Sequence, residues 1–379
     1  MSLTIQPITT RHDLRRFVTF FWRIYRGDPW WVPPLIGGQM DKLTPGRNPF
    51  WRDAERMLWL AERDEEPAGT IAAIVDRHHN RALSQTVGTF GFFECVNDQE
   101  VASLLLNTAA DWLRDRSMTV MRGPYSPASN DEVGLLIEGF DTRPSLVEAH
   151  TPAYYVPMVE AAGFVKQWDT MAWLAQAAPQ ARDLSEVLSP RLIRIADRAR
   201  ERTGARLRPV EMARLDEEAA LVTRLYNAAL SHLPDFTPMT EAEFQALAAS
   251  FKPILDPAMM LFVEIEGRPA GFTLSLPDVN EALQKVNGRL FPFGALKLWW
   301  YARRLHRASF KILVVLPEFW GRGLESVLIV ETARAVWAKG YREMDLSLTG
   351  EENENIQRLL AGLGMRVYRR YRVYQREIR

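Results

Sequence analysis

The sequence has 379 residues, enough for two domains of ordinary size, and its 47 basic residues balance its 47 acidic ones. This neutrality argues against a nucleic-acid partner, which needs a large positive surface. No stretch approaches the ~18 consecutive apolar residues that span a bilayer, and the charged segment 11–16 is unlike a signal peptide, so we expect a cytoplasmic protein. The single cysteine, Cys95, excludes an internal disulfide and a cysteine metal cluster. We expect Cys95 in the core and no bound metal.

The first half of the chain is patterned as strands and helices in alternation. An alternating strand at 3–8 is followed by a helix-patterned segment at 11–26. MLWLAERDEEPAGTIAAIVD at 57–76 then predicts two strands joined by a charged hairpin. The apolar strand FGFFE ends at Glu94 and precedes the helix NTAADWLRDRSM. A Gly-Phe step at 163–164 ends the last helix, and strand material follows it.

The second half repeats this order. Its hairpin, MMLFVEIEGRPAGFTLSLPD at 259–278, carries the same Pro-Ala-Gly tripeptide as the first, and its next strand runs to Glu318. Glu94 and Glu318 are separated by the same number of residues as Thr108 and Thr332 in the helices that follow. Equal spacing across a whole strand-helix unit indicates an internal repeat. Each copy is predicted to run strand, helix, strand, strand, strand, helix, strand, helix, strand.

The repeat predicts two domains and a connection between them. We expect an N-terminal domain at 1–175, a helical linker at 176–205 and a C-terminal domain at 206–379. The first copy has extra residues near 132–155, whose turn-forming composition predicts a long loop, and the second has an insertion at 279–309. A hairpin joined to a strand-helix-strand crossover predicts an α/β (α+β) fold, in which each domain has a mixed, mostly antiparallel twisted sheet flanked by helices.

One turn in the second copy indicates a ligand site. LPEFWGRGLESVLI at 316–329 joins a strand to a helix through two glycines, and such a turn directs backbone N–H groups and the positive helix end at one point. With the repeat, it resembles the GNAT superfamily of acyl-CoA N-acyltransferases in its tandem form, and more loosely the bacterial ceramide synthase-type N-acyltransferases. In that superfamily the turn reads Arg/Gln-x-x-Gly-x-Gly/Ala and wraps the pyrophosphate of coenzyme A. Gly323 matches this pattern, whereas Trp320 and Glu325 depart from it.

The resemblance implies acyl-CoA as the co-substrate. In the superfamily, N–H groups of the fourth strand meet the acyl carbonyl, and an asparagine of the last helix faces the cofactor. The predicted acyl-CoA-binding residues are Val315, Leu316, Gly321, Arg322, Gly323, Leu324, Glu325, Ser326, Asn353 and Asn355. The equivalent turn of the first copy, ECVNDQEVASLL, has no glycine and places Asp98 and Glu100 at the helix start. We therefore expect the second half to hold the thioester and the first half to help form the acceptor pocket.

Transfer of an acyl group to an amine needs a base and benefits from an acid. An alkylammonium with a pKa near ~10 must lose a proton before it can attack. The second copy offers two candidates for the base, His232 after its first helix and Asp278 at the end of its third strand. The resemblance implies a tyrosine acid on the last helix, but Leu360 stands there, so we assign the acid to Tyr368, with Tyr371 as an alternative.

The insertion in the second copy indicates the acceptor. Between 290 and 307 it mixes aromatic and aliphatic residues with basic ones, which is typical of a segment at a membrane interface and equally of a helix packed on its own domain. Membrane contact would make the acceptor amine or the acyl chain lipid-like. Two alternatives remain to acyl transfer from acyl-CoA. One is aminoacyl transfer from aminoacyl-tRNA, and the other is acyl-CoA binding without catalysis.

Overall fold

The computed structural model describes residues 2–128, 130–178, 180–233 and 236–378. The first half of these residues forms nine strands and six helices. The strands are β1 (Leu3–Pro7), β2 (Ala54–Arg63), β3 (Glu66–Asp76), β4 (Val87–Cys95), β5 (Val120–Gly123), β6 (Tyr125–Ser126), β7 (Glu132–Val133), β8 (Leu135–Glu138) and β9 (Val165–Gln176). The helices are α1 (Arg11–Thr19), α2 (Phe21–Ile24), α3 (Ile36–Leu43), α4 (Arg77–Leu83), α5 (Gln99–Arg114) and α6 (Tyr155–Ala161).

The second half of the described chain forms six strands and seven helices. The strands are β10 (Arg206–Pro209), β11 (Met260–Ile265), β12 (Arg268–Pro277), β13 (Arg307–Val315), β14 (Glu343–Gly350) and β15 (Arg366–Glu377). The helices are α7 (Pro190–Thr203), α8 (Leu215–Leu230), α9 (Glu241–Phe251), α10 (Asn280–Val286), α11 (Gly294–Tyr301), α12 (Leu324–Ala338) and α13 (Glu354–Gly362).

Both predicted hairpins are confirmed. β2 pairs with β3, and β11 pairs with β12, in antiparallel ladders, and the two ladders share an irregularity just before their turns. The lead-in strands β1 and β10 pair on the outer edges of these hairpins. The copies therefore repeat in structure as well as in sequence.

The sheet is mixed and mostly antiparallel, as predicted, but it is continuous across the two halves. Thirteen described strands join it, and its central order is β5-β15-β9-β14. β15, the last strand of the second half, pairs with β5 of the first half, while β9, the last strand of the first half, pairs with β14 of the second. β9 and β15 also pair with each other. Each half thus completes its sheet with the final strand of the other.

The predicted linker, 176–205, contributes to packing as well as to connection. Its helix α7 lies against α12. The buried side chains of Leu192, Ala196 and Ala199 face the α12 residues Val327 and Val330. The one-sided apolar stripe of α7 is therefore long enough to hold it on the second half.

The extra segment 132–155 of the first copy reaches into the second half. It is only partly a loop, because it includes β7 and β8, and β8 pairs with β15. Leu146 packs in the apolar cluster around Phe262 and Phe272. The hydroxyl oxygens of Ser145 and Ser309 lie 2.8 Å apart. The segment therefore carries first-half residues to the strands of the second half.

Cys95 is buried, as expected, at the end of β4. Burial raises the pKa of its thiol, which suits a core residue rather than a nucleophile. Within the described ranges, no helix combines the length and the apolar character needed to cross a bilayer.

The strand exchange predicts that neither half folds alone. A fragment 1–182 leaves β5 without its β15 partner, and a fragment 183–379 leaves β14 without β9, so each exposes an unpaired strand edge and aggregates. When the two fragments are mixed during refolding, they should form a one-to-one complex, whose mass is measured by light scattering after size exclusion. The circular dichroism spectrum of this complex should match that of the intact chain. A stable, monomeric, folded fragment would contradict the exchange.

Candidate active site

The turn before α12 presents unpaired backbone N–H groups. Gly321 and Gly323 have φ angles of 71° and 83°, a region that favours glycine, and Gly323 caps α12 without any side-chain hydrogen bond. In the described part of the chain, no acceptor pairs with the N–H groups of residues 321–326. A helix end in this state binds anions readily.

The corresponding turn of the first half is closed, because one of its own side chains occupies the N-terminal end of α5. Asp98 caps α5 by accepting hydrogen bonds from the N–H groups of Glu100 and Val101. Arg63 neutralises both acids, with its guanidinium 2.9 Å from Asp98 and 2.6 Å from Glu100. The side chain of Asp98 thus takes the position at the helix end that a phosphate would need.

A cavity of about 750 Å³ lies beside the open turn. It is lined by the turn residues 321–323 and by one face of α7, which supplies Arg198, Arg202 and a single acid, Glu201. Arg202 donates a hydrogen bond of 3.0 Å to the carbonyl of Arg322. The described lining does not include Glu325, the acid whose like charge would oppose a pyrophosphate.

Trp320, the other departure from the superfamily pattern, has a structural role. Its indole N–H donates to the carbonyl oxygen of Val315 at 2.8 Å, which ties the turn to the end of β13. The guanidinium of Arg322 lies over the ring of Phe319. These contacts fix the turn without closing it.

β13 and β14 diverge next to this turn. Their parallel pairing ends at Phe310 and Leu346, although β13 continues to Val315 and β14 stays paired with β9 on its other edge as far as Gly350. The N–H of Leu316 donates to Ala270 of the neighbouring strand at 2.9 Å. Because N–H directions alternate along a strand, that of Val315 points the opposite way, into the gap.

The strand register therefore directs the N–H groups of Val315 and Leu316, two predicted acyl-CoA-binding residues, to opposite sides of β13. The N–H of Leu316 is already bonded within the sheet and is not available to the acyl carbonyl, and any other contact of Leu316 with acyl-CoA stays a prediction. Val315 remains the predicted donor.

Tyr368, the predicted acid, lies in a buried polar cluster. Its hydroxyl oxygen is 3.0 Å from Glu148 and 3.0 Å from Asp345. Asp345 also accepts from Ser309 at 2.9 Å and pairs with Lys311 at 3.4 Å. Burial and the two carboxylates raise the pKa of Tyr368 well above its ordinary value. Tyr371 is in the same cluster, because its hydroxyl donates to Glu148 at 3.2 Å.

Asp278, one predicted base, is buried close to this cluster. One carboxylate oxygen accepts from the N–H of Asn280, and the other has no hydrogen-bond partner among the described atoms. Burial raises the pKa of Asp278 to about 6, against the opposing effect of Arg307. Its backbone N–H donates to the carbonyl of Arg307 at 2.9 Å.

His232, the other predicted base, lies elsewhere. It is exposed at the end of α8, and its ring is 4.9 Å from that of Trp320. Nδ1 donates to the carbonyl of Ala229 at 2.9 Å, so the neutral ring keeps its lone pair on Nε2. The two candidate bases are therefore in different places, His232 at the open turn and Asp278 near Tyr368.

The remaining predicted residues lie on the two helices that follow the turn. Ser326 is half-buried in the first turn of α12, and Leu324 is fully buried beside it. Asn353 caps α13 by accepting from the N–H of Ile356 at 3.3 Å, while Asn355 is exposed in its first turn. Leu360 is a core residue. Contact of these residues with a cofactor stays a prediction.

Three residues of the buried polar cluster, Glu148, Asp345 and Lys311, are not among those predicted from the sequence. Asp345 and Lys311 each stand in an apolar strand run, where an inward-facing charge is a usable signal. Glu148, in SLVEAH, gives no such signal, because only the packing of its segment buries it.

Comparison with solved structures defines the class of fold. The tandem GNAT protein from the clavulanic acid biosynthesis pathway superposes over 100% of this chain and 99% of its own, with a TM-score of 0.61 and 13% identity. A GCN5-related N-acetyltransferase from Sphaerobacter thermophilus gives a TM-score of 0.52 at 14% identity, over 100% of this chain and 96% of its own. The chain has the tandem GNAT fold.

Comparison with characterised sequences defines the family. No protein-family model matches the chain. The bacterial ceramide synthase of Caulobacter vibrioides is 34% identical over 100% of this chain and 98% of its own length. Protein YghO of Escherichia coli is 30% identical over 99% of this chain and 95% of its own length. The chain belongs to the family of these two proteins.

The two turn glycines should differ in their tolerance of alanine. A Cβ at Gly321 meets nothing within 4 Å, whereas one at Gly323 lies 2.9 Å from the Cβ of Ala199. Both substitutions should lower the free energy of unfolding by about 1–2 kcal/mol through the positive φ, and Gly323→Ala by more because of this clash. Urea unfolding of both variants tests the order.

The clash itself can be isolated with Ala199→Gly. Combined with Gly323→Ala, this change should recover the extra loss and give a favourable coupling in a double-mutant cycle. Equal losses in the two glycine variants and no coupling would contradict the close approach of α7 to the turn.

Proposed function

We propose that the protein is an acyl-CoA-dependent N-acyltransferase that transfers an acyl group from the thioester to a long-chain amine. The observation that carries the proposal is the open turn before α12 beside the divergence of β13 and β14. The closed turn at Asp98 supports a single acyl-CoA site, in the second half.

The open turn suits the phosphates of acyl-CoA. The N–H groups of residues 321–326 would bind the pyrophosphate, and Arg198, Arg202 and Arg322 would compensate its charge. The N–H of Val315 would donate to the carbonyl oxygen as it gains negative charge. In this proposal backbone N–H groups bind the cofactor, so the site does not need the usual Arg or Gln side chain at the position of Trp320.

Residues of the second half would remove the proton from the amine and protonate the departing thiolate. His232, with a free Nε2 lone pair, and Asp278, with an unpaired oxygen and a pKa near 6, are the alternative bases for the amine. Tyr368 is the acid for the departing thiolate.

The acceptor is proposed to be a lipid amine. A relative that covers the full chain is named a ceramide synthase, and a ceramide is the N-acyl derivative of a long-chain amino alcohol. The insertion leaves and re-enters the sheet where Asp278 bonds to Arg307, and the guanidinium of Arg307 lies 5.5 Å from the ring centre of Tyr368. A lipid captured by the insertion would therefore be close to the buried cluster.

The outer part of the insertion is proposed to rest on the cytoplasmic face of a membrane. α11 has no buried residue, and Phe291 is 89% exposed, Leu296 64% and Trp299 52%. The guanidinium of Arg303 lies 3.5 Å from the ring centre of Trp299. Exposed aromatic rings beside arginines match an interface with anionic headgroups.

Ligand binding tests the acyl-CoA site. Acetyl-CoA or palmitoyl-CoA should raise the melting temperature of the wild type, and Gly323→Glu should abolish the shift by placing a charged side chain in the turn. Gly46→Glu is the matched control, because Gly46 also has a φ of 83° but lies in the first half. Mass spectrometry should then detect the amide formed from palmitoyl-CoA and a long-chain amino alcohol. If neither acyl-CoA stabilises the wild type, the proposal is wrong.

Vesicle flotation tests the membrane contact. The wild type should float with vesicles containing anionic phospholipid, less so at high salt, and the triple change of Phe291, Leu296 and Trp299 to serine should remain in the soluble fraction. Val165→Ser is the matched control, since Val165 is 61% exposed outside the insertion. Flotation that is equal for wild type and triple variant would exclude this surface.

A further inference from the structure

The buried cluster around Tyr368 joins the two halves of the protein. Glu148 comes from the extra segment of the first half, Asp345 and Lys311 from strands of the second, and Tyr368 from β15. Tyr368, Glu148 and Asp345 are all 5% exposed or less. Bulk solvent therefore has little access to these groups.

If Glu148 and Asp345 were both ionised, the Tyr368 hydroxyl would have one proton for two close contacts with carboxylate oxygens. The Tyr368 hydroxyl has one proton, yet its oxygen lies 3.0 Å from a carboxylate oxygen of Glu148 and 3.0 Å from one of Asp345. It can donate to only one of them, so the other contact is a hydrogen bond only if that carboxyl group is protonated. A carboxylic acid at Glu148 that donates to Tyr368, which in turn donates to Asp345, satisfies both distances. The same oxygen, Oε2, also accepts from the N–H of Ser145 at 3.0 Å and from the hydroxyl of Tyr371 at 3.2 Å, and a protonated carboxyl oxygen keeps lone pairs for these two donors.

The surroundings of Glu148 favour that assignment. Its second oxygen, Oε1, is buried and has no partner among the described atoms, which penalises the ionised form. Asp345 has Lys311 at 3.4 Å, whereas the nearest cation to Glu148 is Arg369 at 3.9 Å. The Nε–H of Arg369 is directed to the hydroxyl of Tyr371 at 2.6 Å. Burial and the charge of Asp345 raise the pKa of Glu148 to about 8.

Tyr368 alone is a poor acid for a thiolate. Loss of its proton would leave a phenolate buried against Asp345, and the raised pKa of Tyr368 reflects that penalty. A neighbour that replaces the proton in the same step removes the penalty. Glu148 is the described group placed to do so.

We propose that Glu148 is a proton-relay residue of the acyl transfer and acts through Tyr368. This inference rests on the proposed N-acyltransferase function. As the carbon–sulfur bond breaks, the Tyr368 hydroxyl rotates from Asp345 to the sulfur and transfers its proton there, and the Glu148 proton passes to the phenol oxygen. The amine nitrogen, which forms the new carbon–nitrogen bond, releases a proton that returns to Glu148. The thiol gains one proton, the nitrogen loses it, and the relay is unchanged.

Glu148→Gln tests the relay, because glutamine keeps the size and most hydrogen bonds but cannot titrate. Its kcat should fall about 10²–10³-fold, with the KM for acyl-CoA within about twofold of the wild type. Tyr368→Phe should cause a similar fall, and the double variant should be no worse than either single one, because the two residues act as a unit. Glu94→Gln is the matched control. Glu94 is also a buried glutamate bonded to two tyrosine hydroxyls, with a pKa near 8, but it lies in the first half.

The pH profile separates a relay from a packing role. Glu148 must begin the cycle protonated, so the kcat of the wild type should fall as pH rises through about 8, and Glu148→Gln should lack that fall. The charged groups that face Glu148 are Asp345, Lys311 and Arg369, and the titratable hydroxyls of Tyr368 and Tyr371 also contact it, with pKa values raised well above their ordinary value. None of these groups is altered in this variant. An unchanged kcat, a retained high-pH fall or additive losses in the double variant would overturn the relay.

An infrared titration gives a readout that does not depend on activity. In the Glu94→Gln background, the carbonyl band of a protonated carboxylic acid should be present at neutral pH and disappear through about pH 8. Absence of the band overturns the relay even if Glu148→Gln does not fold. By contrast, if the Glu94→Gln variant shows the band but the wild type forms no amide from any acyl-CoA, the proposed function is refuted instead.

Discussion

The exchange of β9 and β15 between the two halves determines how both the sheet and the candidate site are assembled. β15 lies between β5 and β9 in the middle of one sheet, so neither half has a complete sheet of its own. Tyr368, Tyr371 and Tyr374 are buried along this strand. The exchange also brings the extra segment of the first half against β13 and β15, where Glu148 meets Tyr368. The site therefore consists of residues from both halves, although only one half has the open turn.

The two equivalent turns show how one fold position can serve opposite purposes. A helix start has N–H groups to satisfy, and either an acidic side chain or an anionic ligand can do so. Asp98 accepts hydrogen bonds from the first N–H groups of α5, whereas the first N–H groups of α12, after Gly323, have no side-chain acceptor. In the proposed reaction the first half has no acyl-CoA of its own, and it instead contributes Glu148 and the contacts that hold the insertion. Among these contacts, the indole N–H of Trp22 donates to Asn287 at 2.7 Å.

The insertion connects the surface with the buried cluster. Its outer residues are exposed and aromatic, while its base is closed by the bond between Asp278 and Arg307. Arg307 in turn contacts both Tyr368 and Glu343. An exposed aromatic surface and a buried polar cluster are thus joined by a few residues of β12 and β13. This is a suitable arrangement for an amine that carries a long alkyl chain.

Features that depend on residues close together in the chain could be predicted from the sequence. The hairpins follow from two-residue alternation and turn chemistry, and the difference between the turns at Gly323 and Asp98 can be read from a few residues each. Features that depend on packing between distant segments could not be predicted in this way. β9 and β15 have patterns that fit either half, so only packing shows that they are exchanged. The direction of the Leu316 N–H depends on register, and the contacts of Tyr368 with Glu148 and Asp345 depend on packing that joins segments distant in the chain.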